Sequence, residues 1–158
     1  MSPVLMKELH VLGAMLLFGT GLGTAFHFWR AHRTGAPAVI AAAARSTVLA
    51  DWLFTAPAVV LQPVTGLLLA RAVGWPLDSF WILAALGLYG LAGACWMPVV
   101  VLQHRMASLA GAAAETRTLL PPEYHRAARL WFWLGWPAFA AVLGILHLMI
   151  AKPLLGGE

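Results

Sequence analysis

Four long apolar stretches, each bounded by charged or turn-forming residues, constrain this chain more than any other feature. They cover residues 4–29, 47–70, 80–103 and 130–150, and each is long enough to cross roughly 30 Å of hydrocarbon as a helix. Of the 158 residues, 61% are hydrophobic and only 10% are charged, which leaves no length for a separate water-soluble catalytic domain. The sequence therefore predicts one all-α domain over residues 1–158, folded as an antiparallel four-helix transmembrane bundle.

The distribution of arginines predicts the orientation of this bundle. The connection between the first two stretches carries Arg30, Arg33 and Arg45, and the connection between the last two carries four further arginines, whereas the middle connection has only Arg71. The positive-inside rule places the two arginine-rich connections in the cytoplasm and both termini outside. The expected partner is the lipid bilayer, and the net charge of +4 reflects topology and not nucleic-acid binding.

Polar residues inside the second stretch share one side of the predicted helix. The set comprises Asp51, Thr55, Gln62 and Thr65. At 100° per residue, the other three fall within about 40° of the acid around the helix axis. Such residues face the interior of a bundle, and an intramembrane acid is taken as functional by default. Asp51 therefore has two alternatives: an ion pair with an arginine of the first connection, or a proton- or ligand-binding role.

Two histidines are the best candidates to hold a prosthetic group. His10 lies early in the first stretch and His147 lies near the end of the fourth, so both are expected in the outer third of the membrane. Two neutral imidazoles on facing helices can ligate haem iron from either side. The sequence has no C-x-x-C-H motif, so the expected cofactor is non-covalent haem b, and the alternative is a pair of plain interfacial histidines. The other four histidines have different expected positions. His27 and His104 are expected at the cytoplasmic border of the membrane, and His32 and His125 are expected to be solvated in loops.

Small residues in the first stretch predict close helix packing. Gly13, Gly19, Gly21 and Gly23 lie along it, and small residues at such spacing let two helices approach closely. The partner helix belongs either to the same chain or to a second copy in a homodimer. The single Cys95 excludes an intrachain disulfide and any cysteine-rich metal site.

Prolines interrupt three of the four stretches, at Pro57 and Pro63, at Pro98 and at Pro137. A proline has no N–H for the carbonyl four residues earlier. In lipid that carbonyl must find another partner, so the sequence predicts that the helices are kinked against each other at these points.

Six short strings spread over most of the chain carry a family resemblance. They are LHVLGA at 9–14, LFGTG at 17–21, ADWLFT at 50–55, LQPVTG at 61–66, GACWMP at 93–98 and GWPAF at 135–139. Together they resemble a bacterial family of four-span predicted integral membrane proteins. The resemblance implies a four-span fold in the bacterial inner membrane and no particular activity.

The context of the first histidine carries a second, more distant resemblance. Lys7-Glu8-Leu9-His10 is similar to the helix-one histidine motif of the bacterial membrane protoporphyrinogen oxidase, which shares a small-bundle plan with the copper-resistance membrane proteins. This resemblance implies haem binding and porphyrin redox chemistry, with His10 as the ligand.

Three functions compete at this point, and whether the protein is an enzyme stays open. The first is a b-type haem protein in which His10 and His147 are axial ligands and the polar face of the second stretch serves protons or a quinone head group. The second is a non-enzymatic structural or assembly subunit of a membrane complex. The third is a small transport or metal-handling protein, which ranks last because four spans are few for a carrier and no Met- or Cys-rich ladder is present.

Overall fold

The computed structural model describes residues 2–152 and is helical almost throughout. In chain order the helices are α1 (Pro3–His32), α2 (Pro37–Ala50), a π-helical turn (Asp51–Thr55), α3 (Ala56–Val73), α4 (Phe80–Glu115) and α5 (Pro122–Ala151). Because α2, the π-helical turn and α3 follow one another without a break, they form one continuous rod. The predicted all-α four-helix bundle is confirmed.

Short connections return the chain at each end of the bundle. They cover residues 33–36, 74–79 and 116–121. Gly35 and Gly74 take positive φ values of 66° and 83°, a backbone region that glycine enters without steric cost, and so they end the helices before them. Pro37 and Pro122 each occupy the first position of the following helix, where a missing N–H costs nothing. We call the end with connections 33–36 and 116–121 the arginine-rich end, and the other the terminal end.

The helices extend beyond the predicted spans, mainly at the arginine-rich end. Residues 37–46 and 122–129, expected as connections, are helical, and α4 continues to Glu115. At about 1.5 Å per residue, the 36 residues of α4 measure about 54 Å, well over the thickness of the hydrocarbon core. Alanine-rich sequence explains the added length, since alanine has the highest helix propensity.

These extensions pack into a core of their own. Small alanines of α2, α4 and α5 surround Phe28, Ile40, Met106 and Tyr124, which are almost completely buried. Trp131 packs edge-on against Phe28 with ring centroids 5.2 Å apart. The arginine-rich end is therefore a packed helical unit and not a set of loose connections.

A smaller core closes the terminal end. Ala70, Trp81 and Ile82 are buried there, and Trp75 of the middle connection packs edge-on against Trp81 at 5.5 Å. The ammonium of Lys152 lies 5.7 Å from the Trp75 ring. Trp75 is thus half-buried against protein.

The π-helical turn lies immediately before Pro57. Asp51 O accepts from the backbone N–H of Ala56, five residues later. Pro57 cannot donate to Leu53 O, and its ring would crowd that carbonyl in a regular α-helix. Widening the turn relieves this crowding, which gives the local physical reason for the π-helical geometry.

The small-residue stripe of α1 is only partly used for packing inside the chain. Gly13 is buried against the second span, but a Cβ built on Gly19, Gly21 or Gly23 meets nothing within 4 Å among the described residues. Gly19, Gly21 and Gly23 are exposed. Intrachain packing therefore accounts for Gly13, and contact with a helix of a second copy stays a prediction for residues 19–23.

Candidate functional site

The side chain of His10 is held against α3 by a hydrogen bond with Thr65. His10 Nδ1 lies 3.0 Å from Thr65 Oγ1. The edge of the ring rests on Gly66, where an added Cβ would lie 3.0 Å from His10 Cε1. Thr65 is buried and His10 is partly exposed, so the two residues join α1 to α3 near the terminal end.

Thr65 determines which nitrogen of His10 carries the proton. Its hydroxyl donates its one hydrogen to the carbonyl of Leu61 at 2.7 Å, so toward His10 it acts as the acceptor. His10 Nδ1 must therefore donate. In the neutral ring Nε2 then keeps its lone pair, and this is the atom able to take a proton or a metal ion.

The backbone of His10 is fixed as firmly as its ring. Gln62 Nε2 donates to His10 O at 2.7 Å, and Gln62 is buried. Gly13 makes room for this amide, since a Cβ there would lie 2.6 Å from Gln62 Nε2. The residues that hold His10 therefore also form a close packing contact between α1 and α3.

The second predicted ligand, His147, lies on α5. It is exposed on α5, whose main neighbour is α4, whereas the contacts described above tie His10 to α3. Within residues 2–152, no group of three or more His, Cys, Asp or Glu side chains is placed to hold a metal ion. His10 alone of the pair therefore has an ordered polar environment.

Asp51 is buried in the π-helical turn and bonds to its own helix. Thr55 Oγ1 donates to Asp51 Oδ1 at 2.9 Å, while Asp51 Oδ2 has no partner among the described residues. The ion pair with Arg30 or Arg45, one of the two alternatives from the sequence, is therefore not formed, and both arginines are exposed. Arg45 precedes the acid by six residues and so points about 120° away around the helix.

Three buried oxygen atoms near this acid have no hydrogen-bond partner in the described part of the chain. They are Thr47 Oγ1, Asp51 Oδ2 and Gln103 Oε1, on residues that are 1%, 7% and 5% exposed. Thr47 lies one turn before Asp51, and the Gln103 amide lies beside the carboxyl group from α4. An unpaired buried polar atom costs about 1–3 kcal/mol, so three of them close together mark this group as a candidate site. We call Thr47, Asp51, Thr55 and Gln103 the Asp51 cluster.

A cavity of about 260 Å³ adjoins the Asp51 cluster. Asp51, Gln103 and His104 line it together with Trp52, Trp96 and aliphatic side chains. His104 is exposed, so the cavity runs from a buried carboxyl group toward an imidazole at the surface. Sequence analysis placed His104 at the border of the membrane without linking it to the acid.

The four polar residues predicted to share one face are all buried, but they form two clusters. Thr55 and Asp51 bond to each other beside α4, whereas Gln62 and Thr65 contact His10 on α1. The π-helical turn explains the division, because one extra residue in a turn rotates the following helix by about 100°. The acid and Gln62 are also about 16 Å apart along the axis at 1.5 Å per residue.

Tyr89 supplies the hydrogen bond that Pro63 removes. Its hydroxyl donates to Val59 O across the α3–α4 contact. Val59 is four residues before Pro63, so its carbonyl is the one left without an N–H in the helix. The prediction that a carbonyl freed by a membrane proline finds another partner is therefore confirmed at Pro63.

Sequence reasoning missed Thr47 and Gln103 as neighbours of the acid. The Thr47-Asp51-Thr55 spacing of four residues was a usable signal, since it stacks hydroxyls above and below a carboxyl group on one helix face. The pairing with Gln103 had no comparable signal. A helical projection assigns a residue to a face of its own helix, but it does not say which helix lies opposite.

Comparison with known proteins gives a match at the family level. The family described as "Predicted integral membrane protein (DUF2269)" matches residues 4–153. No curated protein and no solved structure matches the chain. These comparisons support the four-span family resemblance and give no support to the resemblance to protoporphyrinogen oxidase or copper-resistance proteins.

Proposed function

Since the chain belongs to the DUF2269 family of predicted integral membrane proteins and has four helices able to cross a bilayer, we propose that it takes up and releases a proton at the Asp51 cluster. The observation that carries this proposal is the unpartnered Oδ2 of a buried membrane acid. Acids inside membrane spans recur in proton relays. The π-helical turn that holds Asp51 is a geometry found often at functional sites.

The neighbours of Asp51 suit both of its protonation states. The Gln103 amide N–H group hydrogen-bonds to the ionised carboxylate, and Gln103 Oε1 has no partner among the described residues, so a flip of the amide would let it accept from a protonated carboxyl group. An ionised carboxylate accepts instead, and the free hydroxyl of Thr47 is available as a donor. Because each state has a partner within reach, the proton is exchanged with small side-chain movements.

The cavity next to the cluster provides the route for the proton. It connects Asp51 with His104, and imidazole is the side chain that most readily relays protons near neutral pH. Asp51 binds the proton, Gln103 hydrogen-bonds to the carboxyl group, and His104 exchanges the proton with water at the surface.

Infrared difference spectroscopy of the protein in lipid bilayers tests this proposal directly. We expect the carbonyl stretch of a protonated carboxylic acid to disappear as the pH is raised, and we expect Asp51→Asn to lack this band. Asp78→Asn is the matched control, because Asp78 is an exposed acid in the connection 74–79. A titrating band that survives in Asp51→Asn, or a signal that depends on Na⁺ instead of pH, would contradict proton binding at this site.

A second candidate function, b-type haem binding, is favoured by the tautomer of His10. Its Nδ1–H is oriented by Thr65, and a ligating histidine commonly has its other nitrogen held in this way. The fit is incomplete, because His147 is exposed on α5 and the cavity next to the Asp51 cluster is not lined by His10. His10 would hold haem iron through Nε2, and haem would supply one-electron chemistry.

A visible spectrum of the purified protein, expressed with ample haem supply, tests this second candidate. A haem protein shows a Soret band that His10→Ala abolishes and His27→Ala, a change at an exposed histidine of the same helix, leaves intact. His147→Ala would then convert the iron to a five-coordinate state if His147 is the second ligand. A colourless wild-type protein would exclude haem binding.

A structural or assembly role is the remaining candidate, favoured by the open face at Gly19 and Gly23, which lie four residues apart on one side of α1. Such a face admits close contact with a helix of a second copy, as in a homodimer, or of a larger membrane complex. Gly23→Leu is expected to abolish association measured by cross-linking in membranes, and unchanged association would argue against it.

A further inference from the structure

A larger cavity, of about 530 Å³, opens at the arginine-rich end between α1 and α5. The residues that line it include no acid, and they divide into a basic group and an aromatic group. The basic group is His32, Arg33, His125 and Arg129, and the aromatic group is Phe28, Trp29, Trp131, Phe132 and Trp133. We call this cavity the basic groove.

A contact between the two helices fixes the shape of the basic groove. Tyr124 is completely buried, and its hydroxyl lies 2.9 Å from His32 Nδ1, with the two rings stacked at 5.6 Å. Both residues lie outside the apolar spans 4–29 and 130–150. Burial raises the pKa of Tyr124 to about 12, so the phenol stays protonated at neutral pH. Sequence analysis placed His32 in a solvated loop, but it lies in the last turn of α1.

The basic groove crosses the level at which the apolar sequence ends. Its α1 side spans residues 28–33 and its α5 side spans residues 125–133, whereas the apolar stretches end at residue 29 and begin at residue 130. The basic side chains therefore lie at the level of lipid head groups. Phe132 and Trp133 lie just inside the hydrocarbon, as interfacial aromatics do.

We propose that the basic groove binds the phosphodiester head group of an anionic glycerophospholipid. Arg33 and Arg129 are forked donors suited to phosphate oxygens, and Arg33 is held over Trp29 at 5.8 Å from the ring centroid. Basic pockets between membrane helices on one leaflet bind anionic head groups. The first carbons of the acyl chains would lie against Phe132 and Trp133. A zwitterionic lipid would bring an ammonium group toward two guanidinium groups, which disfavours it.

Native mass spectrometry of the detergent-solubilised full chain, titrated with defined lipids, tests the proposal. We expect phosphatidylglycerol to bind at one site more tightly than phosphatidylcholine. Arg33→Gln/Arg129→Gln is expected to weaken phosphatidylglycerol binding on the order of tenfold, since each basic side chain near a lipid surface contributes to its attraction. The control Arg45→Gln/Arg105→Gln removes the same charge from exposed positions outside the groove and is expected to bind like the wild type.

Three results would overturn the proposal. Equal loss of binding in both double variants would indicate general electrostatic attraction and no specific binding site in the basic groove. Equal binding of the two lipids by the wild type would exclude recognition of the anionic head group. Displacement of the lipid by inorganic phosphate or glycerol 3-phosphate at equal concentration would identify a soluble anion as the ligand. The last two measurements use the wild type, so they decide the question even if a variant does not fold.

Discussion

His10 Nδ1 donates a hydrogen bond to Thr65 Oγ1, 3.0 Å away on the neighbouring span. This bond joins α1 to α3 and sets the tautomer of the imidazole, because the threonine hydroxyl already donates to Leu61 O. Replacing Thr65 by valine keeps the shape and removes the acceptor. We expect a loss of about 0.6–1.7 kcal/mol in stability, the range measured for side-chain hydrogen bonds in membrane bundles.

The sharper measurement for Thr65→Val is nitrogen NMR of the labelled imidazole. The wild type should show the tautomer protonated at Nδ1, and the variant should show a mixture of tautomers, whereas Thr65→Ser should preserve the wild-type spectrum. Thr24→Val is a control, because the Thr24 hydroxyl donates to Thr20 O of its own helix. An unchanged spectrum in Thr65→Val would refute the assignment.

Glycines of α1 should differ in their tolerance of a methyl group. Gly13→Ala places a Cβ 2.6 Å from Gln62 Nε2, so the Gln62 amide must give up its hydrogen bond to His10 O. We expect the free energy of unfolding to fall by about 1–3 kcal/mol, as at other overpacked sites. Gly19→Ala meets nothing within 4 Å and is expected to be neutral or slightly stabilising, since alanine favours helix. Equal effects of the two substitutions on the melting temperature would contradict the α1–α3 contact.

The bond from Tyr89 to the carbonyl freed by Pro63 predicts coupling between these two positions. Tyr89→Phe should destabilise the bundle by about 1 kcal/mol, because Val59 O loses its donor. In Pro63→Ala the backbone N–H of residue 63 bonds to Val59 O, so adding Tyr89→Phe to that variant should cost less. A double-mutant cycle on unfolding in mixed micelles measures this coupling, and strictly additive effects would exclude it.

Asp51→Asn is expected to preserve the fold. The carboxyl group has no arginine partner, so removing its charge leaves no unpaired cation, and the new amide oxygen still accepts from Thr55. The amide nitrogen gains Gln103 Oε1 as an acceptor, one of the atoms now without a partner. The melting temperature in detergent should therefore stay equal to that of the wild type or rise. A strong destabilisation would indicate that the acid is held by an ion pair after all.

The orientation of the bundle is testable with reporters. We expect both termini outside the cytoplasm, because the arginines concentrate at the opposite end. A phosphatase fused after Glu158 should be active, and the same reporter inserted after Gly35 should be inactive. The reverse pattern would place the basic groove in the outer leaflet.

The sequence by itself determined the number of spans, the antiparallel bundle and the burial of polar residues in the second span. These features follow from apolar length and from helical periodicity, both of which are local properties of the chain. The sequence also identified Pro63 as a residue that frees a carbonyl, since the missing N–H of proline does not depend on the surrounding structure.

The tertiary structure alone decided which polar groups meet. Asp51 and Gln62 project onto one face at 100° per residue, yet the first lies beside Gln103 and the second bonds to His10, because a π-helical turn between them rotates the helix. Likewise, nothing in the sequence near His32 points to Tyr124, ninety-two residues away. Periodicity fixes the direction of each side chain relative to its own helix axis, whereas contacts depend on the order, rotation and kinks of neighbouring helices, which are set by packing of the whole bundle.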